Sequence, residues 1–240
     1  MKRVLYCVYV ISVVSMMCMP PKASARTLVS DFGEATFSDS LTINNRYFPL
    51  VPETTFTYVA QADDEVETNV VFVTDDAVEI LGIQCRVVED RVWVNGLLTE
   101  ETFDWYAQDD EGNVWYMGEY TTEYEYPPGG GPPIETHDGS WNPNIDDAEP
   151  GFIMLADPQP GDSYRQEYFE GQAEDMGKVL RLNASVSVPW GDYTDCLVTK
   201  EWTPLDPGVI EHKYYAPGVG LVFIEELKGK TVEVELIDIY

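Results

Sequence analysis

The sequence predicts a mainly β protein, built as one large antiparallel curved sheet or an open barrel with little helix. Three observations support this fold class: apolar and acidic residues alternate with a period of two, turn dipeptides separate the alternating segments, and convincing helical periodicity is scarce. The best helical candidate, residues 172–180, is short. Of the 240 residues, 44% are apolar, which is enough for a buried core.

The first 25 residues have the layout of a secretory signal peptide. Lys2 and Arg3 precede an uncharged, mostly apolar run, and Ala23-Ser24-Ala25 offers a small-residue cleavage site. The run is shorter than a membrane span and ends at two prolines, so we expect no stable membrane anchor after cleavage. The sequence therefore predicts a signal peptide at residues 1–25, a mature chain that starts at Arg26, and a secreted or periplasmic location.

Tight turns divide the mature chain into short strands. Asn95-Gly96 is a strong hairpin signal between strands predicted at residues 85–94 and 97–107. Residues 110–113 supply the next turn, into a strand at residues 114–126. On that strand, period two places Tyr116, Tyr120, Tyr124 and Tyr126 on one face and Glu119, Glu123 and Glu125 on the other. Further turns are predicted at residues 189–192, at Pro217-Gly218 and at Lys228-Gly229.

One low-complexity segment interrupts this pattern. Residues 127–133 contain only proline and glycine, a composition that cannot form ladder hydrogen bonds and so predicts a loop. The strand pattern is alike on both sides of the segment. We therefore predict a single mainly β domain at residues 26–240, with a Pro/Gly-rich loop at about residues 127–151.

The charge balance narrows the classes of partner. The chain has 43 acidic against 14 basic side chains and a formal charge of −29. Nucleic-acid phosphate and anionic lipid would both be repelled, so neither is an expected partner. The acids are spread evenly, which is typical of a solvated acidic surface; adaptation to salt and binding of divalent cations both explain such a surface.

The predicted mature chain contains two cysteines, Cys85 and Cys196. Exported proteins meet an oxidising compartment, and both cysteines fall within predicted strands, so we predict a disulfide between neighbouring strands. The alternative is two separate buried thiols. The sequence has no CxxC motif and no Cys/His cluster, which argues against a zinc site.

An acidic loop offers a candidate calcium site. Counted from Asp138, side chains with oxygen atoms recur at alternating positions as far as Glu149, and such spacing can wrap a hard cation. The predicted ligands are Asp138, Ser140, Asn142, Asn144, Asp146 and Glu149. Pro143 replaces the glycine that usually makes the sharp turn of such loops, and no helices flank it. An ordinary acidic loop is therefore the alternative.

Catalytic motifs are few. The only histidines are His137 and His212, and no Gly-x-Ser-x-Gly elbow is present. Glu167 and Glu211 lie near tyrosines, and two carboxylates across an aromatic cleft can hydrolyse a glycosidic bond. The alternative is an ion pair between Arg165 and a carboxylate that braces adjacent strands.

Several longer motifs carry a resemblance to a known family. They read DWYAQDDEGNVWYMGE from Asp104, GDSYRQEY from Gly161, and KYYAPGVGLV from Lys213. Together these motifs resemble a family of secreted bacterial proteins of undefined function, over most of the mature chain. The closing strands also resemble the curved sheet of the lipoprotein-carrier (LolA-like) fold. Neither resemblance implies an established activity.

The leading functional hypothesis is an exported, non-enzymatic β protein that binds a ligand or a partner surface. Tryptophan and tyrosine are frequent, and such residues line apolar ligand cavities, stack on sugars or simply fill a core. The expected partner is a small molecule or a polysaccharide. The alternatives are a carbohydrate-active hydrolase with paired carboxylates and a calcium-stabilised structural protein.

Overall fold

The computed structural model describes residues 26–28, 31–62, 65–227 and 232–240. The predicted signal peptide at residues 1–25 and the predicted turn at Lys228-Gly229 fall outside the described residues. Within them, the helical structure is one 3₁₀ turn, Phe32–Glu34, and no helix is long and apolar enough to cross a membrane. The prediction of a mainly β fold is confirmed.

The strands before the Pro/Gly-rich segment include five long ones. In chain order they are β1 Thr27–Leu28, β2 Ile43–Asn44, β3 Pro49–Leu50, β4 Thr55–Ala62, β5 Glu65–Ile80, β6 Ile83–Val94, β7 Leu97–Gln108 and β8 Val114–Glu125. The strands after it are β9 Ile134–Thr136, β10 Glu149–Met154, β11 Ser163–Arg165, β12 Glu167–Tyr168, β13 Met176–Val188, β14 Gly191–Trp202, β15 Glu211–Ala216, β16 Gly220–Glu226 and β17 Val232–Ile239.

Fifteen of these strands form one sheet. Its order is β1-β11-β13-β14-β15-β16-β17-β4-β5-β6-β7-β8-β10-β12, with β9 added to β8. Strand β1 runs parallel to β11 and the other pairs are antiparallel, so the sheet is mixed rather than purely antiparallel. Strands β2 and β3 form a separate two-stranded sheet.

The sheet is not a closed barrel, yet strands from its two ends are neighbours along the chain. Strand β11 is second in the sheet, between the end strand β1 and β13, and β12 is the end strand on the other side, beside β10. Only Gln166 separates β11 from β12. The backbones meet closely there, since a Cβ atom added to Gly151 on β10 would lie 2.5 Å from the Arg165 carbonyl oxygen. The segment from β11 to β12 therefore brings the two ends of the sheet together.

The turn chemistry agrees with the predicted hairpins. Asn95 and Gly96 adopt φ values of 51° and 80° between β6 and β7, the left-handed conformation that a two-residue hairpin loop needs. The helix considered for residues 172–180 is wrong, because strand β13 begins at Met176 and pairs along its length with β14. The segment predicted as one loop at about residues 127–151 contains the short strand β9 and runs into β10.

Two hydrophobic clusters lie on opposite faces of strands β6–β8. The larger cluster draws residues from both halves of the sheet, for example Val88 on β6 and Leu197 on β14. The smaller cluster, hereafter the outer core, consists of Ile80, Cys85, Ala107, Trp115 and Met117, with phenylalanines of the N-terminal segment packed against it. The same strands thus contribute to two separate interiors.

Candidate functional site

Two adjoining compartments lie between the halves of the sheet. The acidic compartment has a volume of about 300 Å³, and the apolar compartment has a volume of about 190 Å³. The residues that line both, and so form the junction, are Asp90, Asp104, Tyr106, Ile153 and Lys213. Four strands separate β6 from β15 in the sheet order, but Asp90 of β6 and Lys213 of β15 face the same space.

The compartments differ in chemistry. Seven carboxyl side chains line the acidic compartment: Asp90, Glu100, Asp104, Glu119, Glu167, Asp175 and Glu201. The apolar compartment is lined largely by hydrocarbon, including Phe48, Leu50, Phe56, Val71, Val88 and Leu221. A ligand that fills both compartments would therefore contact a polar wall at one end and an apolar wall at the other.

Alternation along β6 and β7 supplies much of the acidic wall. Asp104 pairs with Val88, and Thr102 pairs with Asp90, so these four side chains share one face. Glu100 lies two residues before Thr102 and therefore on the same face of β7. Alternation thus places Glu100, Thr102 and Asp104 of β7 on the face that lines the acidic compartment.

A β-bulge changes this alternation on β8. Tyr116 pairs with Tyr106, whereas Gly118 pairs with Trp105, so Met117 is an extra residue on β8. An extra residue exchanges the two faces of a strand beyond the bulge. The bulge thereby places both Tyr116 and the residue three positions later on the cavity face.

The predicted tyrosine face is consequently wrong for one member. Tyr116 and Glu119 both line the acidic compartment, although the sequence pattern places them on opposite faces. Period-two alternation predicts that Tyr120 shares a face with Tyr116, but Tyr120 lies on the opposite face of β8 and is 46% exposed. The physical reason is the bulge, because alternation counted along the sequence assumes a regular strand.

Gly118 is the residue that makes the bulge possible. Its φ of 140° lies in the region that favours glycine. A Cβ atom at this position would lie 2.7 Å from the Trp105 ring and 2.9 Å from the Trp141 carbonyl oxygen. A side chain is therefore excluded by both the backbone conformation and the packing.

The opposite wall carries the single lysine of the lining. Lys213 Nζ lies 3.1 Å from Glu201 and 3.1 Å from Glu211. Burial disfavours the charge of Lys213, but these two carboxylates raise its pKa well above the usual value. Burial also opposes ionisation of Glu201, yet Lys213 and a hydrogen bond from Thr199 lower the pKa of Glu201. Lys213 and Glu201 form a charged pair, and this pair accounts for only one of the seven carboxyl groups.

A tyrosine hydroxyl joins two other carboxyl groups. The Tyr116 hydroxyl lies 2.5 Å from Asp104 Oδ1 and 2.7 Å from Glu119 Oε2. A phenol has one hydrogen and can donate it to one acceptor only. A neutral carboxyl group can donate to the phenol oxygen and so satisfy the second short contact, which agrees with the raised pKa of Asp104 and of Glu119.

Burial makes four carboxyl groups of the lining favour the neutral form. Burial and the charge of Asp104 raise the pKa of Asp90 to about 8, and burial and the charge of Glu119 raise the pKa of Asp104 to about 8. Burial and the charge of Glu167 raise the pKa of Glu119 to about 8. Burial and Asp175 raise the pKa of Glu167 to about 8. At neutral pH, these groups can therefore donate hydrogen bonds as well as accept them.

Of the two predicted catalytic carboxylates, one lines the acidic compartment and the other does not; their catalytic role stays a prediction. Glu167 lines the acidic compartment and accepts a 2.7 Å hydrogen bond from the indole nitrogen of Trp141. Glu211 is bound to Lys213 and does not line either compartment. Arg165 forms the predicted kind of brace, an ion pair with Glu149.

The predicted calcium loop is held by its own hydrogen bonds. Asn142 N donates to Asp146 Oδ2 at 2.9 Å, and Asn144 N donates to Asn142 Oδ1 at 2.9 Å. Ser140 is bonded to the backbone of Thr121, and Glu149 is bound to Arg165. Asp138 is exposed. In the described part of the chain, no three His, Cys, Asp or Glu side chains are placed to hold a metal ion. Calcium binding at this loop stays a prediction.

The predicted disulfide is wrong in this structure. Cys85 and Cys196 are both free and fully buried. Cys85 lies on β6 in the outer core, whereas Cys196 lies on β14 in the larger cluster. Five strands separate β14 from β6 in the sheet, so these strands are not neighbours. The alternative of two separate buried thiols is the one observed.

Sequence reasoning missed most of the acidic wall. The sequence shows only evenly spread acidic residues, and their distance along the chain hides that four of them converge on one compartment: Asp90, Asp104, Glu119 and Glu201. Two signals were available. The glycine inside the strand pattern marks a bulge, and the three motifs that carry the family resemblance each contribute to the cavity: Asp104 to Glu119 in the first, Gln166 and Glu167 in the second, and Lys213 to Leu221 in the third.

Comparisons with known proteins give fold neighbours alone. No family model and no curated protein matches the chain. One solved structure with a similar chain path is described as an exported protein with a YmcC-like fold from Bacteroides fragilis. It shares 16% identity, with a TM-score of 0.46, and the match covers 82% of this chain and 99% of that one.

A second solved structure is described as a lipoprotein from Parabacteroides distasonis. Its identity is 12% and its TM-score is 0.36, over 82% of this chain and 99% of that one. The LolA-like resemblance stays a prediction.

Proposed function

We propose that this is an exported, non-enzymatic protein that binds a small amphipathic molecule between the two halves of its sheet. The observation that carries the proposal is the pair of adjoining compartments, one acidic and one apolar, which share a junction at Tyr106. Sites for small ligands are concave, largely apolar and equipped with a few convergent polar groups. The signal-like sequence at residues 1–25 supports an extracytoplasmic place of action.

A thermal-shift screen tests the binding proposal. The purified protein is heated with a library of small amphipathic compounds, and a compound that binds the native state raises the melting temperature. The matched variants are Val71→Trp, which fills the apolar compartment, and Phe72→Trp, its neighbour on the opposite face of β5. Hits should lose their effect in Val71→Trp and keep it in Phe72→Trp. The proposal would be contradicted if no compound raised the melting temperature, or if the compounds that do so raised it equally in the wild type and in both variants.

A second candidate function is hydrolysis of a glycosidic bond. It is favoured by one observation, the Asp104 and Glu119 carboxyl groups that both contact the Tyr116 hydroxyl. A glycosidase needs one protonated carboxyl as acid beside an ionised one. Aryl glycosides offered to the wild type and to Glu119→Gln separate the two functions. Release of the aryl group by the wild type alone would favour the enzyme, and no release by either would favour binding.

A further inference from the structure

The charges of the cavity indicate what kind of amphipathic molecule it accepts. We propose that the ligand is an amphipathic amine, with its ammonium group in the acidic compartment and its hydrocarbon part in the apolar compartment. This inference rests on the proposed binding function and names the chemical class of its ligand.

Acidic side chains outnumber basic ones on the wall of the acidic compartment. Seven carboxyl groups line the acidic compartment, and Lys213 is the only basic side chain among the lining residues. Lys213 is already held by Glu201 and Glu211 at 3.1 Å each. A second cation would therefore find several carboxyl groups that form no ion pair with a protein cation, and these groups attract the cation as they ionise.

A tyrosine ring lies at the junction of the two compartments. Tyr106 is 9% exposed and lines both compartments, with its ring stacked on Tyr116 at 5.1 Å. A phenol can both donate and accept a hydrogen bond, and the face of its ring attracts a cation. A ligand with its ammonium group in the acidic compartment would therefore contact Tyr106.

The arrangement of the carboxyl groups suits an ammonium group better than a metal ion. In the described residues no cluster of carboxyl groups is arranged to coordinate a metal ion. An ammonium group has no such demand, because its three N–H bonds donate separately to acceptors around it. The carboxyl groups of Asp90, Asp104 and Glu119 come from three adjacent strands and offer acceptors of this kind. The adjoining apolar wall then accommodates a hydrocarbon chain.

Asp104 and Glu119 both contact the Tyr116 hydroxyl, and burial raises the pKa of each, so ligand binding should depend on pH. An ammonium group binds a carboxylate more strongly than a neutral carboxyl, so its binding should release a proton to the buffer. Other titratable groups on the same lining are Asp90, Glu100, Glu167, Asp175, Glu201 and Lys213, with the phenols of Tyr106 and Tyr116. Burial and like charges make the carboxylates harder to form, which strengthens the coupling between proton release and cation binding.

Titration calorimetry with hexylammonium, hexanol and hexanoate measures whether the cavity prefers a cationic, a neutral or an anionic head group. A primary alkyl amine titrates near the lysine value of about 10.4, so hexylammonium stays charged over the useful range. We expect hexylammonium to bind more tightly than either control. Its affinity should rise about tenfold per pH unit between roughly pH 6 and pH 8, and then level off. Two buffers of different ionisation enthalpy count the protons released.

Variants localise the site. Asp104→Asn should weaken hexylammonium at least about tenfold, as expected for a lost charged hydrogen bond, and flatten the pH dependence. Tyr106→Phe should weaken it several-fold. The controls are Glu125→Gln and Tyr120→Phe, which change exposed side chains outside the lining. The wild-type pH dependence needs no variant and so holds even where a variant unfolds.

The outcomes separate the two proposals. If hexanol binds as tightly as hexylammonium, or if affinity for hexylammonium falls as pH rises, the amine assignment is wrong while a binding cavity remains. If neither molecule nor any library compound binds in a manner sensitive to Val71→Trp, both the amine assignment and the binding function are wrong.

Discussion

The two faces of strands β6–β8 differ in polarity: one is apolar and the other is rich in carboxyl groups. One face contributes Trp115, Met117 and Cys85 to the outer core, where each side chain is at most 2% exposed and surrounded by apolar neighbours. The other face contributes Asp104 and Glu119 to a compartment crowded with carboxyl groups. The outer core stabilises the sheet, whereas the acidic face lowers its stability whenever its carboxyl groups ionise. The difference teaches that one face of a strand can tolerate unfavourable charges when the other face of the same strand is well packed.

The largest expected effect comes from emptying the outer core. Trp115→Ala removes a buried ring that contacts Phe152, Phe32 and Phe37, with ring centroids 4.3–6.3 Å apart. We expect a loss of about 3–5 kcal/mol in the free energy of unfolding. Chemical denaturation measures it. The control, Tyr106→Phe on the cavity face, should change stability by less than about 0.5 kcal/mol. Equal losses for the two variants would remove the distinction between the faces.

A smaller loss is expected where the bulge joins the two faces. Gly118→Ala strains the backbone by about 1–3 kcal/mol and also drives a methyl group into the Trp105 ring. The matched control is Gly96→Ala, because Gly96 also has a positive φ but nothing within 4 Å of the added methyl. Gly118→Ala should cost clearly more than Gly96→Ala in the same denaturation assay. Similar costs would mean that packing at the bulge contributes nothing.

The acidic face should reveal itself through pH. The pKa of Asp104 is raised to about 8 in the folded protein, against about 3.9 unfolded, so the unfolded chain binds fewer protons between these values. Stability contributed by the neutral carboxyl is present at low pH and is lost as pH rises through about 8. Asp104→Asn should therefore raise stability at pH 9 by on the order of 2 kcal/mol and change little at pH 5.

Differential scanning calorimetry of the wild type and Asp104→Asn at both pH values checks this expectation. The exposed substitution Glu125→Gln serves as the control for a general loss of negative charge. An equal gain for both variants at high pH would assign the effect to the surface and not to the cavity.

The smallest effect is expected from reductant. Cys85 and Cys196 lie on strands separated by five others and hold free thiols, so dithiothreitol should leave the melting temperature unchanged. Burial raises the pKa of Cys85 to about 12, which makes its thiol unreactive in the native state. Alkylation of the native protein followed by mass spectrometry checks both thiols. A decrease in melting temperature with reductant would indicate a disulfide.

The sequence predicts local features of this fold well, because local chemistry determines them. Asn95-Gly96 requires a left-handed turn, and period-two alternation requires a strand with two different faces. The acidic compartment could not be predicted in the same way. Asp90, Glu167 and Lys213 meet only because the sheet order places distant strands around one space, and alternation alone cannot reveal such a meeting.

The bulge lies between these two cases. A glycine within an otherwise strand-like segment marks a possible change of face. Giving Gly118 this weight would turn Glu119 to the same face as Tyr116. It would still give no reason to place Glu119 in the same compartment as Glu201.

The joined ends of the sheet have a consequence for the order of folding. Residues 163–168 pair with β10, which precedes them, and with β13, which follows them, and both pairings are local in sequence: Pro150 pairs with Glu167 and Arg165 with Met176. The pairing of β4 with β17 instead joins Ala60 to Val234. Pairings between distant parts of a chain form slowly, because the intervening chain must first be ordered. We therefore expect the two ends of the sheet to meet at Gln166 before β4 pairs with β17. Pulsed hydrogen exchange during refolding should protect the amide of Gln166, which donates to the Asp175 carbonyl oxygen at 2.7 Å, before the amides of β4.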